Sequence, residues 1–251
     1  PIVLTKATEK VVIDGNKRKY ARLARPLRFY GGTTSATEVG CNLRCKFCFS
    51  DAPVRKPHST GKFYTPKQVF DALSKSARKY GHKLISASAS EGTLGRQHLF
   101  ELLGLVDQSE FIYVLETNGM TIGHDPEFAK ELSRFKNLHV RVSIKGTCEE
   151  EYVRLTGAMS KSYSLPYKAL DYLIKEDYID AEKHFKRLNK ISRYNPFFDD
   201  FIGNVLMAWS KATQGNEKDS IKFIEKIPKP YHYFKKIQNI FLQCYFDQDK
   251  T

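Results

Sequence analysis

The strongest constraint on the fold is the alternation of short β-prone runs with amphipathic helical segments between residues 33 and 144. Such alternation with short connections produces right-handed βαβ units, which build a parallel sheet. The sequence therefore predicts an α/β fold with about four parallel strands. The predicted strands cover residues 33–39, 83–88, 111–115 and 138–144, and the predicted helices between them cover residues 65–80, 96–106 and 126–135.

A β-hairpin is predicted ahead of this region. Val11 to Ile13 is a β-prone run, Asp14-Gly15 supplies turn residues, and Tyr20 to Leu23 is a second β-prone run. We expect this hairpin of residues 10–24 to add an accessory β-element to the sheet.

Glycine marks a change of character along the chain. Thirteen of the 15 glycines precede residue 160, and only Gly203 and Gly215 follow it. This shift predicts two domains, an α/β domain over residues 1–164 and an all-α, helical-repeat-like region over residues 165–251. Helices are predicted there over residues 165–176, 179–193, 196–214, 218–227 and 231–246.

Charge and hydropathy narrow the possible partners. The net charge is +13, and the densest basic run spans residues 17–28. Such a run is most often a solvated or salt-bridged face, and contact with nucleic acid or an anionic ligand is the alternative. No apolar run approaches eighteen residues, which argues against a membrane span, and residues 1–10 carry no apolar signal segment.

Three of the five cysteines, Cys41, Cys45 and Cys48, fall within eight residues. Clustered thiols without an export signal indicate metal ligands in a reducing compartment, so a cytoplasmic location is expected. Three thiolates on one loop can hold three irons of a cubane cluster and leave the fourth iron open to a ligand. The alternative is a four-ligand zinc site, which would need a fourth ligand such as Cys148 or His58.

This loop, with Phe47 directly before its last cysteine, resembles that of the radical S-adenosylmethionine (SAM) superfamily. The resemblance implies a [4Fe-4S] cluster on the three cysteines, SAM bound at the open iron near Phe47, and a partial (β/α) barrel. It also implies reductive cleavage of SAM to methionine and a 5′-deoxyadenosyl radical, which abstracts hydrogen from a substrate. An electron donor such as ferredoxin or flavodoxin would then be required.

Two further motifs extend the resemblance. Glu91 ends a Ser-Ala-Ser-Glu segment where the family has Gly-Gly-Glu touching the SAM amino group, and Asn118 lies in a Thr-Asn-Gly turn like that of the family. The resemblance implies that both bind SAM. Viewed alone, Glu91 could equally cap a helix, and Asn118-Gly119 is an ordinary turn pair. Both motifs follow predicted strands, where ligand groups of parallel sheets belong.

The segment from Ser143 to Thr147 is similar to the fourth-strand region of activating enzymes for glycyl-radical proteins. By that resemblance, Ser143 and Lys145 reach SAM from the strand end, although a lysine at such a position is more often solvated. The resemblance covers residues 20–174, and no motif in it identifies the substrate.

Residues 177–196 resemble the second half of a tetratricopeptide repeat, and an ordinary helical bundle is the alternative. A genuine repeat array would bind a protein partner. The competing functional hypothesis is therefore a non-catalytic helical-repeat interaction protein that carries an incomplete iron–sulfur domain.

The fifth and sixth strands of the family barrel have no match in the sequence. The fourth strand is then expected to have an open edge that needs cover. The candidates are the N-terminal hairpin, a partner chain or the helices after Tyr178, which would bury Phe185, Phe198 and Trp209.

Overall fold

The computed structural model describes residues 1–146, 148–176 and 222. The chain divides into two compact units, Pro1–Glu176 and Asp177–Thr251. Apart from residue 222, the predicted helices beyond residue 176 lie outside the described residues, as do the tetratricopeptide-like segment, the three aromatic residues expected to bury there and Thr147. The domain boundary after residue 164 stays a prediction.

The first unit alternates strands and helices, as predicted. The strands are β1 (Ile13–Asp14), β2 (Lys17–Leu27), β3 (Thr33–Glu38), β4 (Lys62–Tyr64), β5 (Leu84–Ser88), β6 (Ile112–Thr117) and β7 (Leu138–Val142). The helices are α1 (Ile2–Val12), α2 (Ala52–Arg55), α3 (Pro66–Tyr80), α4 (Arg96–Asp107), α5 (Met120–His124), α6 (Pro126–Leu132), α7 (Glu149–Thr156) and α8 (Leu165–Glu176). No helix in these described ranges is long and apolar enough to cross a membrane.

Four parallel strands form the centre of a curled half-barrel sheet, in the order β3-β5-β6-β7. This confirms the predicted fold class, a partial barrel of about four parallel strands. Strand β2 pairs antiparallel with β3, and both β1 and β4 pair with β2. The N-terminal hairpin therefore extends the β3 edge of the sheet.

The first arm of that hairpin is shorter than predicted. Val11 and Val12 end helix α1, and only Ile13 and Asp14 are extended. The helix buries Thr5, Thr8 and Val12, which share one face at helical spacing. The prediction was wrong here because two of these three buried positions are threonines, so the apolar pattern did not indicate a helix.

One face of the sheet, called the outer face here, packs against the helices. Apolar residues of α3, α4, α6 and α8 cover alternate positions of the strands. Helix α3 begins and ends where the sequence predicts, because Thr65 and Gln68 form a capping box and Gly81 adopts the left-handed conformation at its end. The strand positions of the outer face include Ala36, Ile85, Ala87, Tyr113, Leu115 and Val140.

The alternate strand positions form the opposite face, called the inner face here, and these are mostly polar. Strand register places Arg25 beside Ser35, Thr37 beside Ser88, and Glu116 beside Arg141. A hydrogen bond of 2.9 Å between the Ser35 and Ser88 hydroxyls joins two strands on this face. The inner face is therefore the surface that the helices leave open for chemistry.

The edge strand β7 has no second strand partner among the described residues. The hairpin, one of three candidates for covering this edge, lies at the opposite side of the sheet. The other two candidates stay predictions.

Candidate cluster-binding site

The three cysteines lie on the loop that follows β3, at the carboxyl end of the parallel strands. Gly40 opens the loop with φ of 96°, and a Cβ there would approach Thr8 Cγ2 to 2.8 Å. Glycine is needed because α1 packs directly against this turn.

Backbone contacts hold the loop from both sides. Lys46 N–H donates to the Leu155 carbonyl at 2.8 Å, and Arg44 N–H donates to the Thr156 carbonyl at 3.3 Å, which ties the loop to the end of α7. On the other side, the Arg55 guanidinium donates to the Cys45 carbonyl at 2.8 Å. The loop conformation is therefore fixed by contacts that do not use the thiols.

All three thiols are free, and they border one small apolar cluster that includes Met120 and Tyr152. Burial raises the pKa of the Cys41 thiol to about 12 and also raises the pKa of Cys45, whose thiolate Lys145 favours. The Cys41 sulfur accepts Leu43 N–H at 3.4 Å and lies 3.9 Å from the Asn118 amide nitrogen. Partly buried thiols with N–H donors aimed at sulfur match the surroundings of an iron–sulfur cluster.

The thiols do not form a ready metal site in this conformation. Within residues 1–146 and 148–176, no group of three or more histidine, cysteine or carboxylate side chains is arranged to hold a metal ion. Both a zinc site and a cubane cluster would require the three thiols to turn toward one point. Cys148 is exposed at the start of α7.

Glu91 lies beside the cysteine loop but is only 1% exposed. One carboxylate oxygen accepts hydrogen bonds from Thr93 Oγ1 at 2.7 Å and from Thr117 Oγ1 at 2.5 Å. The other oxygen accepts Asn118 N–H at 2.8 Å. The carboxylate thus joins the loop after β5 to the turn after β6.

Arg18 binds the backbone of the loop after β5, and this contact was not predicted from the sequence. Its guanidinium is buried and donates to the Glu91, Gly92 and Leu94 carbonyls at 2.7–3.1 Å. It also pairs with the Glu38 carboxylate at 3.0 Å. Burial raises the pKa of Glu38 to about 7, although Arg18 acts to lower it. Within the predicted basic run, this arginine is therefore salt-bridged and internal.

Asn118 connects its turn directly to the cysteine loop. Its side-chain amide donates to the Asn42 carbonyl oxygen at 2.7 Å, and Asn42 in turn donates to Thr5 Oγ1 at 3.0 Å. Sequence reasoning singled out Asn118 but missed Asn42, which lies between two of the cysteines. The structure therefore brings Glu91, Asn118 and Cys41 together through a short chain of hydrogen bonds.

Ser143, Lys145 and Phe47 lie around the same end of the sheet. Ser143 N–H donates to the Thr117 carbonyl at 2.8 Å, which continues the β6–β7 pairing. The Lys145 ammonium lies 5.7 Å from the centre of the Phe47 ring, which is 54% exposed. Lys145 and Phe47 thus border the cysteine loop, and the Ser143 backbone lies at the end of β7.

Ala89 occupies the place of a glycine in the family motif and keeps a glycine-like backbone. Its φ is 75°, in the left-handed region that β-carbons disfavour. Tyr30 is the other non-glycine residue with positive φ in the described part of the chain. Strained residues of this kind concentrate at functional sites.

The comparison with protein families agrees with the geometry of the loop. A family model described as the radical SAM superfamily matches residues 37–185, more than half of the chain. The match includes the cysteine loop, Glu91, Asn118, Ser143 and Lys145. A comparison with curated proteins gave no match. The chain belongs to the radical SAM superfamily.

Proposed function

We propose that the chain is a radical SAM enzyme that holds a [4Fe-4S] cluster on Cys41, Cys45 and Cys48. When bound, such a cluster supplies the electron that cleaves SAM to methionine and a 5′-deoxyadenosyl radical for hydrogen abstraction. The observation that carries the proposal is the group of three free thiols on one braced loop, with N–H donors aimed at the Cys41 sulfur.

The chain's own residues have distinct roles in this proposal. Asn118, Ser143 and Lys145 bind SAM at the loop, and the exposed ring of Phe47 covers one side of it. Glu91 is proposed to serve the same site: its carboxylate, which accepts bonds from Thr93, Thr117 and the Asn118 N–H, fixes the turn that carries Asn118. The direct contact between Glu91 and SAM that the resemblance implies stays a prediction.

Two finer assignments belong to this proposal. The likeness around Ser143 supports the branch of enzymes that activate glycyl-radical proteins. The chemistry requires an electron donor such as ferredoxin or flavodoxin and a reducing, cytoplasmic setting. The exposed Phe49 and Lys46, beside the cysteines, offer an approach for such a donor.

The test compares Cys45→Ala with Cys148→Ala after anaerobic reconstitution with iron and sulfide. Cys45→Ala should lose bound iron, the visible absorbance of a cluster and the formation of 5′-deoxyadenosine, because a three-cysteine site has no spare ligand. Cys148→Ala should retain all three. Loss of metal in Cys148→Ala would instead support a four-ligand zinc site. A full wild-type cluster without SAM cleavage would favour the non-catalytic interaction protein.

A further inference from the structure

We propose that the inner face of the sheet carries a subsite for an anionic oxygen group of the substrate, a carboxylate or a phosphate, built around Arg25 and Thr37. The inference rests on the proposed function, because it assigns a substrate class to the same active site. The residues that argue for it are Arg25, Ser35, Thr37, Ser88, Glu116 and Arg141, all at inner-face register positions.

Two polar atoms on this face are buried without a hydrogen-bond partner. They are the Thr37 hydroxyl, on a residue 9% exposed, and the Arg25 Nε. A buried polar group left unpaired costs free energy, so such groups in native proteins usually have an explanation. A ligand that accepts a bond from Arg25 and pairs with Thr37 would remove both costs.

The charged residues of the inner face indicate that the ligand carries a negative charge. Arg25 lies beside Ser35, and Arg141 lies across the sheet on β7. The only carboxylate among the six residues is Glu116, and Arg141 already pairs with it at 3.1 Å. The Arg25 guanidinium therefore lacks a described ion-pair partner, and guanidinium groups bind carboxylate and phosphate in a planar, two-pronged geometry.

Depth in the sheet separates this subsite from the cofactor. Ser35, opposite Arg25, lies three residues before the end of β3 and six residues before Cys41. At about 3.3 Å per residue, Arg25 is thus about 10 Å below the strand end where the cysteine loop begins. A substrate held there by its anionic group would extend toward the loop.

Tyr30 contacts two residues of the inner face. Its hydroxyl donates to Glu116 at 2.8 Å and contacts Arg141, although Tyr30 precedes β3 and β5 lies between β3 and β6. The Tyr30 side chain therefore links the turn before β3 to inner-face positions of β6 and β7. Its φ of 56° is strained for a non-glycine residue, which supports a functional reason for this conformation.

The test measures anion binding to the reconstituted protein saturated with SAM, by calorimetric titration with inorganic phosphate and separately with acetate. Wild type should bind at least one of them. Arg25→Gln should weaken that binding about tenfold or more, because a hydrogen bond to a charged group is lost. The matched control is Arg28→Gln, three residues away and exposed, which should stay within about twofold of wild type.

Comparing phosphate with acetate shows which anionic group the substrate carries. Tighter binding of phosphate would assign a phosphorylated substrate, and tighter binding of acetate would assign a carboxylic acid. Thr37→Val, which removes only the unpaired hydroxyl, should weaken the preferred anion severalfold while the protein remains folded. Arg25→Lys, which retains the charge without the Nε donor, should bind between wild type and Arg25→Gln, and it serves if Arg25→Gln does not fold.

Three outcomes would overturn the inference: neither anion binds, Arg28→Gln weakens binding as much as Arg25→Gln, or Arg25→Gln weakens SAM and the anion equally. The last would mean that Arg25 serves the SAM carboxylate. Failure of the proposed function is a separate result. Anion binding that depends on Arg25 in a protein that never cleaves SAM would retain the subsite and reject the radical chemistry.

Discussion

The two faces of the sheet differ in how their buried polar side chains are paired. On the outer face, apolar strand residues pack under helices, and the buried Arg18 and Glu38 beside them pair with each other at 3.0 Å, although one atom of each, Nε and Oε2, has no hydrogen-bond partner. On the inner face, Arg25 Nε and the Thr37 hydroxyl are buried without a partner, and no ion pair joins Arg25 to a described carboxylate. The difference teaches that the outer-face charges are used within the fold, whereas the inner-face groups are left for a ligand.

The largest predicted effect on stability comes from breaking the buried ion pair between Arg18 and Glu38. Arg18→Met should destabilise the protein by about 3–5 kcal/mol, because it leaves the buried Glu38 and three carbonyls without their partner. Urea unfolding measures this loss. Lys17→Ala, at the exposed neighbouring position, should remain within about 0.5 kcal/mol of wild type. A similar loss in both variants would refute the assignment.

A direct comparison of the faces pairs a core residue with an inner-face residue. Leu102→Ala should cost about 2–5 kcal/mol, because it empties part of the packed core between α4 and the sheet. Ser88→Ala should cost only about 0.5–1.5 kcal/mol, the usual value of one hydrogen bond, here to Ser35. Thermal and urea unfolding measure both. Equal losses would mean that the inner face also carries the stability of the fold.

The pH dependence of the free energy of unfolding tests two buried ionisable side chains, His98 and Glu38. Burial lowers the pKa of His98 to about 4 from 6.5, so its contribution to stability increases as pH rises from about 4 to 6.5. Burial raises the pKa of Glu38 to about 7 from 4.5, so its contribution is full below pH 4.5 and is lost as pH rises through about 7. Between pH 4.5 and 6.5 the two contributions oppose each other.

Replacing His98 should reveal the pH-dependent contribution of Glu38 to the free energy of unfolding. In His98→Gln, the free energy of unfolding should fall by up to about 3 kcal/mol as pH rises from 4.5 to 7, whereas wild type should change little up to pH 6.5. Unfolding in urea at a series of pH values measures both slopes. His124→Gln, which removes an exposed histidine, should keep the wild-type profile. If the stabilities of His98→Gln and wild type changed with pH in parallel, His98 and Glu38 would not make opposing contributions.

The sequence predicted local features better than the contacts between distant segments. Helix α3 was predicted over residues 65–80 and spans Pro66–Tyr80, because Thr65 and Pro66 are local start signals of a helix. Val11 and Val12 were assigned wrongly, because a short apolar run does not distinguish a strand from a helix end. The four parallel strands followed from the alternation of elements alone.

The same distinction applies to the site. The cysteine spacing identified the loop, because all three ligands lie within eight residues. The pairing of Arg18 with Glu38 left no sequence signal, since it depends on the register of β2 against β3. The internal bonds of Glu91 likewise depend on Thr117, which lies on the next strand. Contacts of this kind require the folded sheet.

The smallest predicted effect is the most specific test of the contrast between the faces. Thr37→Val should stabilise the protein without ligand by about 1 kcal/mol, because the buried hydroxyl it removes has no partner and valine favours a strand. Thr33→Val makes the same change at the start of the same strand, where the hydroxyl donates to the Phe29 carbonyl at 3.0 Å. That variant should lose about 1 kcal/mol, because the carbonyl loses its donor. If Thr37→Val raises the free energy of unfolding and Thr33→Val lowers it, the Thr37 hydroxyl destabilises the ligand-free protein. That result is expected for a residue whose hydroxyl binds a ligand. Equal losses would mean that the Thr37 hydroxyl has a hydrogen-bond partner in solution and is not left for a ligand.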